Sequence, residues 1–299
     1  MSAPAAILEG LRPPPGHSAA PAYDDGWIRE DGSRAPYLSY LDDGAEGWSA
    51  ELEALHAESS LEHPIDVLTR RTAVAALRGA DLGSAPRLLD VGCSTGHLLA
   101  DLRAGWPAAE LAGVDAEAAG LATAHATVPG AALFYASATD LPFADASIDG
   151  LVALNLLEHL SDDVAALAEF ARVLRPGGRA VVVVPAGPHL YDYYDNHLRH
   201  ERRYAEGELS EKGLTAGLRP LSRVALGSVV YPGFWLVKKR NRRMSLTDEQ
   251  AQQRVAGDIE RSQSSPLARA AFAVEGAMLS RGRRPRRGIR EALVLERPR

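Results

Sequence analysis

Residues Arg87–Leu102 read RLLDVGCSTGHLLADL, and the reading of the whole chain starts there. An apolar run closing on Asp90 predicts a strand, Gly92 and Gly96 bracket a turn, and Leu98, Leu99 and Leu102 recur at helical spacing. A strand, turn and helix in this order leaves backbone N–H groups at the helix start facing a ligand. Gly92 suits such a turn because it tolerates positive φ and lets a ligand approach the backbone. A dinucleotide-binding turn needs glycines at its first, third and sixth positions. Counted from Gly92, the third and sixth are Ser94 and His97, so a dinucleotide fits poorly.

Outward from this unit, Glu110–Asp115, Ala132–Ala136, Ile148–Leu154 and Arg179–Val184 read as further strands. Helical stretches separate them, including Asp162–Leu174, which stops at Arg175-Pro176-Gly177-Gly178. Alternation of this kind implies a parallel sheet with right-handed crossovers and ligand binding beyond the strands' carboxyl ends. A helix over 206–217, a strand over 221–230, a helix over 266–280 and a last strand over 291–296 follow.

The series Asp90, Gly92, Ser94, Gly96 resembles motif I of the class I S-adenosylmethionine (SAM)-dependent methyltransferases, with Ser94 in place of the middle glycine. The resemblance covers residues 86–230. It implies an α/β, Rossmann-like, seven-stranded and mostly parallel sheet with helices on both faces, an N-terminal helical lid and an antiparallel last strand. The implied cofactor is SAM. Asp90, Gly92, Ser94 and Gly96 would form its turn, and Asp115 with Ala116 would meet the ribose, whose two hydroxyls an ionised carboxylate can accept together. Ser137 and Ala138, in Ser-Ala-Thr-Asp-Leu-Pro-Phe, would line the adenine, and Asn155 would lie at the strand end under the sulfonium.

The chemistry is expected in two segments. Asn155–Leu160 reads NLLEHL and places Glu158 and His159 near the methyl group, with His159 a candidate general base. It is similar to the segment of the ubiquinone-pathway O-methyltransferases that can hold a divalent ion through Glu, Glu and His. Asn155 replaces the first Glu, and no metal ligand is assigned. Pro185–Tyr204 reads PAGPHLYDYYDNHLRHERRY and resembles a superfamily branch with Asp, Gly-His and Arg-Arg-Tyr, Arg199 replacing the Gly. Tyr191, His197 and His200 are its catalytic candidates. Tyr194, Asp195, Arg202 and Arg203 are its substrate contacts, the arginines suited to a carboxylate or phosphate. The competing reading of the branch residues is a set of salt bridges holding the loop together. Glu58, His63 and Arg70 are further candidates from the lid.

Composition frames these motifs. The 299 residues are 46% hydrophobic, enough for a sizeable core. Residues 1–22, rich in Ala and Pro, are expected to be a disordered arm, and 23–80 an N-terminal helical lid. Tyr23, Trp27, Tyr37, Tyr40 and Trp48 would pin the start of that lid to the body. Residues 81–230 form the SAM-binding core, and 231–299 a basic insertion with the final helix and strand. The single Cys93 excludes a disulfide framework and a cysteine metal site. No run is long and apolar enough for a membrane span and no signal peptide is evident, so a cytoplasmic protein is expected.

The net charge of −6 conceals an excess of nine positive charges from Lys238 onward, leaving −15 on the rest. Nucleic acid is not favoured as a partner, because the tail lacks basic residues interleaved with aromatics. Tyr-Pro-Gly-Phe-Trp-Leu-Val, residues 231–237, abuts Lys-Lys-Arg-Asn-Arg-Arg and reads as a substrate lid or homodimer contact, with a membrane surface as the alternative. The expected activity is transfer of a methyl group from SAM to an O or N atom of a small molecule, in natural-product biosynthesis or on a peptide carboxylate. A non-catalytic SAM-binding partner subunit and an RNA methyltransferase using the basic tail are the alternatives.

Overall fold

The computed structural model describes residues 6–42, 63–244 and 248–299; the expectations for Trp48 and Glu58 fall outside them. The first parallel strands are β4 (Arg87–Val91), β5 (Glu110–Asp115), β6 (Ala132–Tyr135), β7 (Ile148–Leu154) and β8 (Leu174–Pro185). Leu88, Leu89, Leu111, Phe134, Leu151 and Val181 to Val184 on them are all but inaccessible. Strands apolar on both faces form the interior of a sheet covered on both sides.

Two later strands, β9 (Arg219–Leu226) and β10 (Arg290–Glu296), complete the sheet. β10 lies antiparallel between β8 and β9, with Leu293 opposite Val182 and Arg223. An eighth strand, β3 (Leu38–Ser39), runs parallel to β6 and gives the order β3-β6-β5-β4-β7-β8-β10-β9. The expected seven strands and antiparallel last strand are present, with β3 added at one edge.

That edge corrects the expectation of a disordered arm over residues 6–22; of the helical lid expected over 23–80, residues 43–62 lie outside the described residues. Residues 6–42 pack against the body: Ile7 and Trp27 are 1% and 2% exposed. The Trp27 indole N–H donates to the Leu133 carbonyl (3.0 Å), and its ring stands edge-on to Phe134. Short strands β1 (Trp27–Ile28) and β2 (Arg34–Ala35) pair antiparallel on the way to β3. An otherwise unpaired β6 edge and apolar ground under Trp27 outweigh the Ala- and Pro-rich composition.

The helices on the sheet include α1 (Pro64–Arg78), α2 (His97–Gly105), α3 (Ala118–Thr127) and α4 (Asp163–Val173). α1 is a packing helix and not a lid: Ile65, Leu68, Ala73 and Leu77 bury one face against the sheet. His63 contacts Ser262 (2.7 Å) and Arg70 pairs with Asp101 (2.8 Å), so both lid candidates tie helices together. After β8 come α5 (Tyr193–His197) and α6 (Glu208–Thr215), and after β9 come α7 (Tyr231–Asn241), α8 (Asp248–Ser264) and α9 (Pro266–Ser280). The strand expected over 221–230 stops at Leu226.

Candidate active site

The turn after β4 is held from the next strand. Asp115, at the carboxyl end of β5, accepts from the backbone N–H of Ser94 (2.7 Å) and of Glu117 (2.9 Å). Ser94 sits at φ +44°, a left-handed conformation rare for a non-glycine residue, and the Asp115 clamp holds it there. The neighbouring glycines serve packing. A Cβ on Gly92 would lie 3.3 Å from Leu156, and one on Gly96 would lie 3.1 Å from Ala124 of α3. Gly96, with φ +84°, therefore lets α2 start close against α3.

Beneath the turn, Asp90 is 2% exposed and its Oδ2 has no hydrogen-bond partner among the described residues; the buried Thr95 hydroxyl is in the same condition. Burial, reinforced by the charge of Asp115, pushes the Asp90 carboxyl well above the usual carboxylate range. Ala116 is exposed beside Asp115. In the third segment Ser137 contacts the Thr139 hydroxyl (2.8 Å), and Ala138 is buried. Asn155 sits at φ +50°, its N–H bonded to Val183 at the end of β7.

The second half of the site lies where β7 and β8 end. Glu158 is 1% exposed, its Oε2 has no hydrogen-bond partner among the described residues, and burial raises its pKa against the opposing pull of His200. The His159 and His200 rings meet edge to face at 4.8 Å. Glu158, His159 and His200 each offer a ligand atom, all within 4.8 Å of one another. No metal ligand was expected, yet this is a spacing from which a divalent ion could be held. The third member comes from the loop after β8, where spacing within NLLEHL could not point.

Asp195 organises that loop. It is fully buried at the N-terminal turn of α5, where it forms a capping box with Asp192. Its Oδ1 accepts from His200 Nδ1 (3.0 Å) and Arg203 Nε (2.7 Å), and its Oδ2 from Lys238 Nζ (3.2 Å) and the Asp192 N–H (3.1 Å). Burial would raise its pKa, but the hydrogen bond from His200 and the charges of Arg203 and Lys238 hold it well below the usual range. Because a carboxylate only accepts, its bond fixes the proton of neutral His200 on Nδ1 and leaves Nε2 as the basic nitrogen.

The other loop candidates divide between structure and site. The Tyr191 hydroxyl donates to the His200 carbonyl (2.6 Å), steadying the backbone that carries the imidazole. Arg202 pairs with Asp163 (3.1 Å), which also receives Tyr204 and Lys212. Arg203 is enclosed, and Tyr194 lies under the Lys238 ammonium, 5.0 Å from ring centroid to nitrogen. The salt-bridge reading of Asp195, Arg202 and Arg203 thus accounts for their observed partners. His197, in the last turn of α5, is outside the group formed by Glu158, His159 and His200. Sequence reasoning missed Lys238 and Asp192. A usable signal was present: Tyr231, Phe234, Lys238 and Asn241 recur on one helical stripe, and the charged member needed a buried partner.

A doubly wound sheet with a clamped glycine turn, an acid ending the next strand and titratable groups beyond β7 and β8 has the arrangement in which open α/β sheets take ligands at their strands' carboxyl ends. Residues 89–182 match the methyltransferase domain family. The chain is 35% identical over 133 residues to the O-methyltransferase resE of Aspergillus sclerotiorum, covering 42% of this chain and 49% of that protein. It is 34% identical to the ubiquinone/menaquinone biosynthesis C-methyltransferase UbiE of Syntrophotalea carbinolica, covering 44% and 59%. The fold matches a geranyl diphosphate methyltransferase solved with SAM at TM-score 0.51 and 16% identity, covering 85% of this chain and 93% of that one. Over residues 89–182 the chain is thus similar to the methyltransferase domain of SAM-dependent methyltransferases. It spans about half the length of the curated relatives it matches.

Proposed function

We propose that the protein transfers a methyl group from SAM to an O or N atom of a small-molecule acceptor, a natural-product hydroxyl or a peptide carboxylate being examples. The likeness to an O-methyltransferase supports oxygen as the receiving atom. The observation that carries the catalytic part is the Asp195–His200 pair beside Glu158 at the carboxyl ends of β7 and β8.

The residues around the glycine turn fit SAM. Asp115 and Ala116 would meet the ribose, Ser137 and Ala138 the adenine, and Gly92, Ser94 and Gly96 the methionine portion, with Asn155 beneath the sulfonium. An ammonium group over the turn would supply the donor that the buried Asp90 Oδ2 lacks. When bound, SAM supplies an electrophilic methyl group, and the transfer is an in-line displacement.

The chain's contribution is alignment and proton removal. His200 Nε2 takes the proton of the acceptor hydroxyl, and Asp195 stabilises the resulting imidazolium through Nδ1–H. His159 packs the His200 ring in place. Tyr191 and Arg203 keep the loop rigid, and Tyr194, His197 and Arg202 form the surrounding acceptor surface.

The test pairs calorimetric titration with SAM and S-adenosylhomocysteine with a labelled-methyl assay on a small-molecule extract. Asp115→Ala is expected to weaken SAM binding by ~100-fold, by loss of charge-assisted hydrogen bonds. His200→Ala is expected to bind SAM as before and lose transfer. Undiminished SAM binding by Asp115→Ala would refute the cofactor placement. Tight SAM binding with no label transferred to any small molecule would favour a non-catalytic subunit.

A further inference from the structure

α7 has two unlike sides. Tyr231, Phe234, Lys238 and Asn241 face inward: Tyr231 bonds His189 (2.9 Å), Lys238 bonds Asp192 (2.6 Å) and Asp195, and Asn241 bonds Asp192 (3.1 Å). At ~3.6 residues per turn, that stripe forces Leu236, Arg240 and Arg243 outward, with Trp235 and Val237 on the flanks. Trp235, Leu236 and Val237 are 38%, 62% and 52% exposed. Lys239, Arg240, Arg242 and Arg243 follow them, all exposed. An outward helical face is thus apolar in its first turns and cationic in its last.

A second basic segment is brought to the same sheet end. The loop after α9 wraps the end of β9, where Pro285 accepts from Ala225 and Ile289 donates to Leu226. Residues 281–287 on this loop carry five exposed arginines. α7 starts five residues after β9 ends. The helix dipole accounts for cations in the last turn of α7 but not for three adjacent exposed apolar side chains.

We infer that the outer face of α7 docks on an anionic phospholipid bilayer, the arginines of the 281–287 loop at the end of β9 supplying a second cationic element. Apolar residues with an interfacial Trp enter the headgroup boundary, and flanking cations hold anionic headgroups. Lys239 already lies over the Trp235 ring, at 5.0 Å, so both could sit at one depth. A second copy of this chain is disfavoured, because two such faces would bring like charges together. A nucleic acid would use the cations and leave Leu236 and Val237 in water. Lys238 links the docked helix to Asp192 and Asp195, so the surface lies directly behind the loop that carries His200. The inference is independent of the proposed activity.

The test uses the full chain with phosphatidylcholine vesicles, with and without phosphatidylglycerol, read by co-sedimentation and tryptophan emission. Binding is expected only with phosphatidylglycerol, with a blue shift and a steep loss as salt rises. Trp235→Ala/Leu236→Ala and Lys239→Glu/Arg240→Glu should each lower partitioning by ~10-fold or more. Both variants replace exposed side chains, and unchanged thermal melts check that they remain folded. Absence of vesicle binding overturns the inference. So does binding unaffected by the Trp235/Leu236 variant, which would mark simple polyanion attraction such as that of RNA. A vesicle-free dimer dissolved by that variant, seen by sedimentation velocity, would assign the face to a second copy.

Discussion

Asp195→Asn removes one charge from the most connected buried carboxylate of the acceptor loop. In the native protein Asp192 and Asp195, both enclosed, face Lys238 and Arg203, also enclosed. The substitution leaves two buried cations beside one carboxylate and gives His200 Nδ1 an amide that can accept or donate. Breaking a buried ion pair costs about 3–5 kcal/mol. For a chain of this size about 2 °C is lost per kcal/mol, so the melting temperature should fall by about 6–10 °C. The pH dependence has a definite sign. A depressed folded-state pKa contributes stability that is present above the unfolded value, about 4, and lost as pH falls through the folded value. The variant should therefore show a flatter loss of stability below about pH 4. Catalysis should fall by ~100-fold or more in kcat, from loss of the His200 tautomer, with SAM affinity unchanged. The assays are urea unfolding at neutral and acid pH, SAM calorimetry and single-turnover methyl transfer. A loss below about 1 kcal/mol with native acid sensitivity would refute the role given to Asp195. Equal loss of transfer in Asp195→Asn with His200 already replaced would show that the two residues do not act as a unit.

Three further outcomes are expected. Gly96→Ala should destabilise by about 1–3 kcal/mol, since φ is +84° and the new Cβ would lie 3.1 Å from Ala124; urea unfolding reads this, and a neutral result would contradict the close α2–α3 packing. Asp90→Asn should be more stable than the parent at neutral pH, because a raised carboxyl pKa makes stability decline as pH climbs from the unfolded value toward the folded one. The same variant should bind SAM more weakly, as read by calorimetry. Dialysis against a chelator should leave methyl transfer intact if His200 Nε2 is the base; loss of activity restored by one divalent ion would instead make Glu158, His159 and His200 its ligands.

The cofactor half of the protein was readable because its information is local. A buried strand shows as an apolar run, a turn shows its glycines, and an acid ending a strand of a parallel sheet has a fixed place at the ligand edge. Arg87–Leu102, Glu110–Asp115 and Ile148–Leu154 therefore fell close to where the structure puts them. The acceptor half was only partly readable. Asp195, His200 and Arg203 could be named, but not the direction in which each side chain turns. Composition misled at residues 6–22, where Ala and Pro suggested disorder while Ile7 and Leu11 joined the core.

The sequence by itself determined the strand and helix alternation, the glycine turn and the acid ending β5, since these follow from periodicity and from residues close together in the chain. Only the tertiary structure decided that Lys238 reaches Asp192 and Asp195, that Glu158, His159 and His200 converge, and that α7 turns an apolar and cationic face outward. Those relations join segments more than forty residues apart, and buried charge settles them: Asp195 takes whichever cations the fold brings within reach, and the helix that carries one of them must show its other side to solvent.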